Sequence, residues 1–134
     1  MKYARLIYGY NRCQSMNNQY ANIGDYMQTF AIDELYEYMK IPQSDIINVG
    51  RQELVSYDGE EAILPMQGWF GYVKGLDIFP LSTKLKPVFF GYHSVDKRNY
   101  QNLELYRKNG PIGCRDESTY KIMQRKHIDS YISG

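Results

Sequence analysis

The feature of this chain that most restricts its fold is the alternation of short apolar segments with segments of helical period. Residues 4–10 are aliphatic and aromatic, which is typical of a buried strand. Further strand-like segments lie at 45–49, 62–64, 87–92, 110–114 and 128–132. Strands that alternate with helices predict an α/β fold, here a Rossmann-like, mostly parallel sheet flanked by helices.

The clearest single element is a helix that begins at Ile23. Asn22 is its expected N-cap, with Asp25 three residues farther on, and Pro42 marks its end. Its apolar residues recur at spacings of three and four and form one stripe, which consists of Ile23, Met27, Phe30, Ala31, Leu35, Tyr38 and Met39. Two shorter helices are predicted over residues 99–108 and from an Asp116 cap to about residue 126.

Two stretches are predicted to lack regular structure. Residues 11–22 are polar and show no period that would face a core. Residues 65–72 are apolar but interrupted by glycines, which favours a packed loop over a paired strand. With no repeat and no linker-like stretch, residues 1–134 are expected to form a single domain.

Charge and cysteine content narrow the class of protein. Sixteen Lys and Arg balance fifteen Asp and Glu, giving a net charge of +1, so the composition gives no attraction to nucleic acid or to a membrane surface. Cys13 and Cys114 are far apart and form no metal-binding pattern. Residues 1–5 lack an apolar stretch long enough for a signal peptide, and no apolar run reaches the ~18–20 residues of a membrane span. A soluble cytoplasmic protein is expected.

Common catalytic motifs are missing from the sequence. No Gly-x-Gly-x-x-Gly follows the first strand, which argues against a nicotinamide or flavin site, and there is no phosphate-binding loop with Gly-Lys-Ser/Thr. His-Glu-x-x-His and Gly-x-Ser-x-Gly are absent too, which removes the simple metalloprotease and hydrolase interpretations. Generic motifs leave the function open.

Residues 22–31 contain Asn-x-Gly-Asp followed by a Gln and an Ala, and residues 110–119 contain Gly-x-Arg-Asp-x-x-Thr. Both segments resemble motifs of the polysaccharide pyruvyl transferase family. Residues 89–94 resemble the strand and loop between these motifs. The resemblance spans nearly the whole chain but only the N-terminal half of the family, whose members are similar to two-domain glycosyltransferase-B proteins. The C-terminal domain is expected to be absent from this chain, so the chain alone is not expected to be active.

This resemblance implies transfer of a pyruvyl group from phosphoenolpyruvate to a sugar hydroxyl of a polysaccharide. The reaction needs an acid for the enol methylene and a base for the attacking hydroxyl. Cations or helix N-termini would hold the phosphate and the carboxylate. No metal and no organic cofactor is expected. Phosphoenolpyruvate is the donor substrate and a sugar or polysaccharide is the acceptor.

The candidate catalytic residues are Asp25 and His93. Asp25 lies in the first turn of the helix after the first strand, where it could orient or deprotonate a sugar hydroxyl, or could only cap the helix with Asn22. His93 follows a strand and could exchange protons near neutral pH, although a histidine beside aromatic residues is more often structural.

The candidate substrate-binding residues are Arg115, Asn22, Gly24 and Asn11. The forked guanidinium of Arg115 suits a carboxylate or a phosphate, although an ion pair with Asp116, Glu117 or an acid of a neighbouring loop is the structural alternative. Asn22 and Gly24 follow from the family resemblance, and Asn11 belongs to a loop whose amides suit sugar hydroxyls.

Two other functions are compatible with the sequence. A nucleotide-sugar-dependent glycosyltransferase would share the same architecture. A non-catalytic module that binds sugars or assembles with other proteins would share the same domain.

Overall fold

The computed structural model describes residues 1–8, 23–71 and 76–134. The strands are β1 (Lys2–Ile7), β2 (Ile46–Gly50), β3 (Ala62–Trp69), β4 (Leu85–His93), β5 (Ile112–Cys114) and β6 (Ser130–Ile132). The α-helices are α1 (Ile23–Tyr38), α2 (Leu103–Lys108) and α3 (Glu117–Arg125). Short 3-10 helices cover Gln43–Asp45, Arg51–Glu53 and Lys97–Tyr100.

All six strands form one parallel sheet in the order β2-β1-β3-β4-β5-β6. The predicted fold class is therefore confirmed: the chain has a Rossmann-like α/β fold. After β2 the chain crosses back over β1 to form β3 and then continues in the other direction. This reversal makes a topological switch point between β1 and β3, where open α/β sheets form a crevice at the carboxyl ends of their strands.

The helices cover opposite faces of this sheet. α1 leads to a strand on one side of β1, whereas α2 and α3 lead to strands on the other side, so right-handed crossovers place α1 opposite α2 and α3. One buried apolar cluster joins alternate residues of the central strands to α2 and α3, and it includes Leu64, Met66, Phe89, Tyr106 and Met123. This is the main core. No described helix combines the length and the apolar surface that crossing a bilayer requires.

The expected loop at 65–72 is wrong in its first half, because β3 continues through Trp69. Pro65 is tolerated within β3 because the parallel ladder between β1 and β3 involves only Ala62 and Ile63 of β3. Beyond that point the regular pairing of β3 is with β4, and it includes Pro65 opposite Val88. A strand with one regular partner over part of its length can accommodate a residue without an N–H.

The apolar stripe predicted for α1 faces away from the sheet, whereas an amphipathic helix normally buries such a stripe. The buried residues of α1 are Asp25, Ile32 and Tyr36. Beyond the short ladder with β3, carbonyl groups of β1 bond to α1: Tyr36 donates to the Ala4 carbonyl at 2.7 Å and Thr29 to the Leu6 carbonyl at 2.8 Å. Because backbone carbonyls need partners, α1 turns its hydroxyl-bearing face toward the sheet.

Candidate functional site

The carboxyl edge of the sheet collects side chains from every part of the described chain. The residues that directly follow β1, β2, β3, β4 and β5 are Tyr8, Arg51, Phe70, Ser94 and Arg115. Parallel strands end at the same edge, so residues that are far apart in sequence become neighbours there.

The most specific arrangement at this edge is formed by His93, Asp116 and Thr119. His93 is the last residue of β4, and its Nδ1 contacts Oδ2 of Asp116. The other oxygen of Asp116, Oδ1, accepts the backbone N–H of Thr119 at 2.9 Å, so Asp116 is the N-cap of α3 as the sequence predicts. The hydroxyl of Thr119 lies 3.2 Å from Oδ2 of Asp116 and 3.3 Å from Nδ1 of His93.

This arrangement fixes the protonation pattern of the imidazole. A carboxylate only accepts hydrogen bonds, so Nδ1 of His93 is the donor and, in the neutral ring, Nε2 keeps its lone pair. Burial raises the pKa of Asp116, but the hydrogen bonds from the Thr119 backbone and from His93, together with the charge of His93, lower the pKa below its usual value on balance. Asp116 is therefore an anion at neutral pH that orients the His93 ring through Nδ1.

A buried hydrogen-bond network holds the loop that follows His93. The backbone N–H of Ser94 donates to the Thr119 hydroxyl at 3.3 Å. The Asn99 amide donates to the Phe70 carbonyl at 2.6 Å and to the Ser94 hydroxyl at 2.7 Å. Tyr100 donates to the Ser94 carbonyl at 2.5 Å. Because Ser94 is held through its N–H, its hydroxyl and its carbonyl, the position of the preceding residue, His93, is restricted as well.

A second feature of this edge, not identified from the sequence, is Arg51. Its side chain is only 2% exposed, and its Nη1 donates to the carbonyl of Trp69 at 2.8 Å. The guanidinium lies 6.0, 5.5 and 5.2 Å from the ring centroids of Tyr8, Trp69 and Phe70. The only sign of Arg51 in the sequence is its position immediately after a strand. Its burial among aromatic rings could not be predicted, because the rings belong to residues 18 or more positions away in the chain.

The start of α1 lies over the switch point between β1 and β3. Asp25 is buried at 4% exposure in the first turn. One turn later, Gln28 accepts a hydrogen bond from the Tyr8 hydroxyl at 3.0 Å. Gln28 also packs on Gly68, where a Cβ atom would lie 1.9 Å from the Gln28 amide oxygen. Gly24 and Asp25 are therefore at the predicted edge, whereas Asn11 and Asn22 lie outside the described residues.

Arg115 is at the same edge but does not form the predicted alternative ion pair. Asp116 bonds to His93, and Glu117 pairs with Lys121 at 3.0 Å. Among residues 1–8, 23–71 and 76–134, no acidic side chain pairs with the exposed guanidinium of Arg115. β3 and β4 separate β1 from β5, so the ends of these two strands are three strand spacings, roughly 14 Å, apart at the sheet edge. Asp25 and Arg115 share this rim without touching.

An open cleft lies at the end of β3 and on the loops that follow β3 and β4. It has a volume of about 450 Å³ and is lined by Trp69, Gly71, Val95, Asp96 and Arg98. Arg98 donates two hydrogen bonds to the Asp96 carboxylate, from Nε at 3.1 Å and from Nη2 at 2.6 Å. The hydrogen bond from this side chain lowers the pKa of Asp96 below its usual value. An indole next to a fixed carboxylate and a guanidinium is a surface that suits a polar, flat-faced ligand such as a sugar.

Metal and thiol chemistry find no support in the part of the chain that is described. No group of three His, Cys, Asp or Glu side chains is arranged there to hold a metal ion. Cys114 is buried in β5, and burial raises the pKa of its thiol to about 11. A neutral, buried thiol is a packing group and a poor nucleophile.

Comparison with models of protein families, with curated proteins and with solved structures gives no match.

The two roles of Asp116 can be separated by substitution. Asparagine caps a helix as well as aspartate does, whereas alanine loses the cap at a cost of about 1 kcal/mol. We expect Asp116→Ala to lower the free energy of unfolding at pH 7 by that amount and Asp116→Asn to lower it by less, in urea titrations. Equal losses in the two variants would show that the His93 contact, and not the cap, stabilises α3.

The lowered pKa of Asp116 also has a pH signature. A carboxyl whose pKa is depressed by folding stabilises the fold above its unfolded pKa of about 3.9, and this contribution disappears as the pH falls through the folded pKa. Asp116→Asn is therefore expected to lose less stability than the wild type between pH 5 and pH 2. Asp129→Asn, at an exposed carboxyl, is the control that should follow the wild-type curve.

Proposed function

We propose that this chain is the N-terminal half of a polysaccharide pyruvyl transferase and that its His93–Asp116 pair activates the acceptor sugar hydroxyl. The observation that supports the proposal best is the contact between His93 and Asp116 at the carboxyl edge. These residues come from two different segments of the family resemblance, at 89–94 and 110–119. An oriented imidazole is the group that the proposed reaction requires for proton transfer.

The proposed reaction converts phosphoenolpyruvate and two sugar hydroxyls into a cyclic pyruvyl ketal and inorganic phosphate. C3 of the enol gains a proton and becomes a methyl group. C2 gains bonds to the two sugar oxygens and loses its bond to the phosphate oxygen. Of the two protons that the hydroxyls lose, one corresponds to the proton that C3 gains, and the other leaves with the phosphate.

His93 takes the role of general base in this scheme. With Nδ1 held by Asp116, the lone pair on Nε2 receives the hydroxyl proton, and the anionic carboxylate stabilises the imidazolium that forms. His93 is partly exposed, so the acceptor can approach it. The cleft with Trp69 opens on the same edge and offers a surface for the sugar ring.

Arg115 takes the role of donor-binding cation. Its exposed guanidinium can form two parallel hydrogen bonds with the carboxylate or phosphate of phosphoenolpyruvate. Gly24 and Asp25 lie at the start of α1, where the positive end of the helix dipole also favours an anion. A second lobe, as in two-domain relatives, would close over this edge.

Cys13 and Cys114 are far apart in sequence and do not form the pattern of a disulfide-rich protein. This favours a cytoplasmic location.

The direct test measures phosphate release and ketal formation from phosphoenolpyruvate and extracted polysaccharide, with the full product of the gene that encodes this chain. His93→Gln is expected to lower the turnover by about two orders of magnitude, the usual contribution of a general base. The chain has only two histidines, so His127→Gln is the matched control and should retain activity.

Thermal unfolding of the same protein distinguishes phosphoenolpyruvate from a nucleotide sugar as the donor. Phosphoenolpyruvate should raise the melting temperature of the wild type, and Arg115→Met should remove this effect. Stabilisation by a nucleotide sugar in place of phosphoenolpyruvate would contradict the proposal and favour a glycosyltransferase. Unchanged turnover in His93→Gln would refute the assigned base.

A further inference from the structure

A groove adjoins the Trp69 cleft and takes no part in the scheme above. Its inner part has a volume of about 270 Å³ and shares Gly71, Asp96 and Arg98 with the cleft. Its outer part has a volume of about 320 Å³ and shares Arg98 and Gln101 with the inner part. Because the three cavities adjoin one another around Arg98, they form a path that leads away from Trp69. We call the inner and outer parts the side groove.

Asn99 indicates that a ligand enters the side groove. It is only 7% exposed and lines both parts of the groove. Its Nδ2 donates to the Phe70 carbonyl and to the Ser94 hydroxyl, and a carbonyl can only accept, so the position of the amide nitrogen is fixed. Its Oδ1 accepts no hydrogen bond from the described residues and is not enclosed by them. Since buried amides normally have partners, Oδ1 is the place where the donor group of a ligand would bind.

The charges of the side groove favour a neutral ligand. Arg98 is the one cation among its described lining residues, and it donates to both oxygens of Asp96. Asp77 adds a negative charge to the inner part. A phosphate or carboxylate group only accepts hydrogen bonds and would leave Oδ1 of Asn99 without a donor. An uncharged ligand with hydroxyl groups supplies that donor.

We propose that the side groove binds the sugar unit next to the one that receives the pyruvyl group, so that the acceptor is a segment of a polysaccharide chain and not a single sugar. This inference rests on the proposed function. Trp69 is opposite His93 in the ladder between β3 and β4, so the path starts at the strand end that carries the proposed base. The Trp69 cleft alone, at about 450 Å³, has the size of a pocket for one small ligand, roughly 300–1,000 Å³. The side groove adds space for a neighbouring unit.

The lining of the side groove matches the two kinds of surface that a sugar ring presents. The half-buried ring of Phe79 lines both parts and offers an aromatic face to the apolar side of a sugar. The exposed side-chain amides of Gln101 and Asn102 make no hydrogen bond to the described residues. Amides both donate and accept, as hydroxyl groups do. Together with Oδ1 of Asn99, they can hold the hydroxyls of the neighbouring unit.

The first test compares acceptors of different length, with phosphoenolpyruvate and the full product of the gene. The acceptors are the single repeating unit and fragments of several units, both from partial hydrolysis of the extracted polysaccharide. The wild type should have the lower KM for the longer fragments at a similar kcat, because binding outside the reacting unit acts on KM. The double variant Gln101→Ala/Asn102→Ala should raise the KM for these fragments about tenfold, as expected for the loss of two hydrogen bonds. Gln43→Ala is the matched control, because Gln43 is exposed in the 3-10 helix before β2, and it should behave like the wild type.

The second test measures binding without turnover, in the His93→Gln background. Trp69 is the only tryptophan of the chain, so its fluorescence reports binding of the fragments. The double variant should raise their dissociation constant about tenfold, again for two lost hydrogen bonds, and Gln43→Ala should not raise it.

The two tests separate failure of this inference from failure of the proposed function. Turnover with equal KM values for short and long acceptors, or equal behaviour of the double variant and Gln43→Ala, would overturn the side groove and leave the proposed function intact. Fragment binding that depends on Gln101 and Asn102, without turnover of any acceptor by the wild type, would contradict the proposed function and support the side groove as a carbohydrate site.

Discussion

Arg51→Met is expected to lower the free energy of unfolding by about 3 kcal/mol or more. A buried hydrogen bond from a charged donor contributes about 1.5–3 kcal/mol, and the bond from Arg51 to the Trp69 carbonyl is of this kind. A longer bond to the Gly71 carbonyl, at 3.5 Å, adds to it. The guanidinium also lies within about 6 Å of three aromatic rings, and such contacts are worth more when they are desolvated. Methionine keeps the length of the side chain but none of these interactions.

The measurement is urea unfolding followed by tyrosine and tryptophan fluorescence, with Arg125→Met as the control. Arg125 is exposed in the last turn of α3, so its loss should change stability little. Arg51→Lys separates charge from shape: an ammonium cannot lie flat against the rings or bond to two carbonyls in one plane. We expect it to lose most of what methionine loses. A Lys variant as stable as the wild type would show that charge alone is sufficient at this position.

The fold class was predictable because it depends on local patterns. Strand-like segments, helix periods and the Asp116 cap are each visible within about ten residues, and their alternation specifies a parallel sheet. The orientation of α1 was not predictable in this way. Its apolar period is real, but the inner face is decided by the carbonyls of Ala4 and Leu6, which accept hydrogen bonds from Tyr36 and Thr29, respectively, more than 20 residues later.

The sequence predicts individual residues of the candidate site but not the contacts between them. The sequence places His93 at a strand end and Asp116 at a helix start. It cannot show that they touch, because this contact depends on the register of β4 and β5, where Tyr92 is opposite Cys114. A shift of one residue would turn the alternate side chains toward the other face and offer Arg115 to His93 in place of Asp116. Register is a long-range property and is set by packing of the whole sheet.

Two buried tyrosines provide the second large effect on stability. The Tyr106 hydroxyl donates to the Asn99 carbonyl at 2.8 Å, so in its 3.0 Å contact with the Tyr92 hydroxyl it must accept, and Tyr92 must donate. Burial is the main cause that raises the pKa of both phenols above the usual value. Both therefore stay protonated at neutral pH and keep these donor roles.

Because Tyr92 donates to Tyr106 and Tyr106 donates to Asn99, removing the two hydroxyls is expected to change stability by unequal amounts. Tyr106→Phe deprives two buried groups of their partners, the Asn99 carbonyl and the Tyr92 hydroxyl, and at about 1–3 kcal/mol for each we expect a loss of about 3 kcal/mol. Tyr92→Phe removes one donor and leaves the bond to Asn99 intact, so a loss of about 1 kcal/mol is expected. The double variant should be no less stable than Tyr106→Phe alone, because Tyr92 then has no hydroxyl to satisfy. Urea unfolding of the three variants measures this coupling, and additive losses would show that the two hydroxyls do not form one chain of hydrogen bonds.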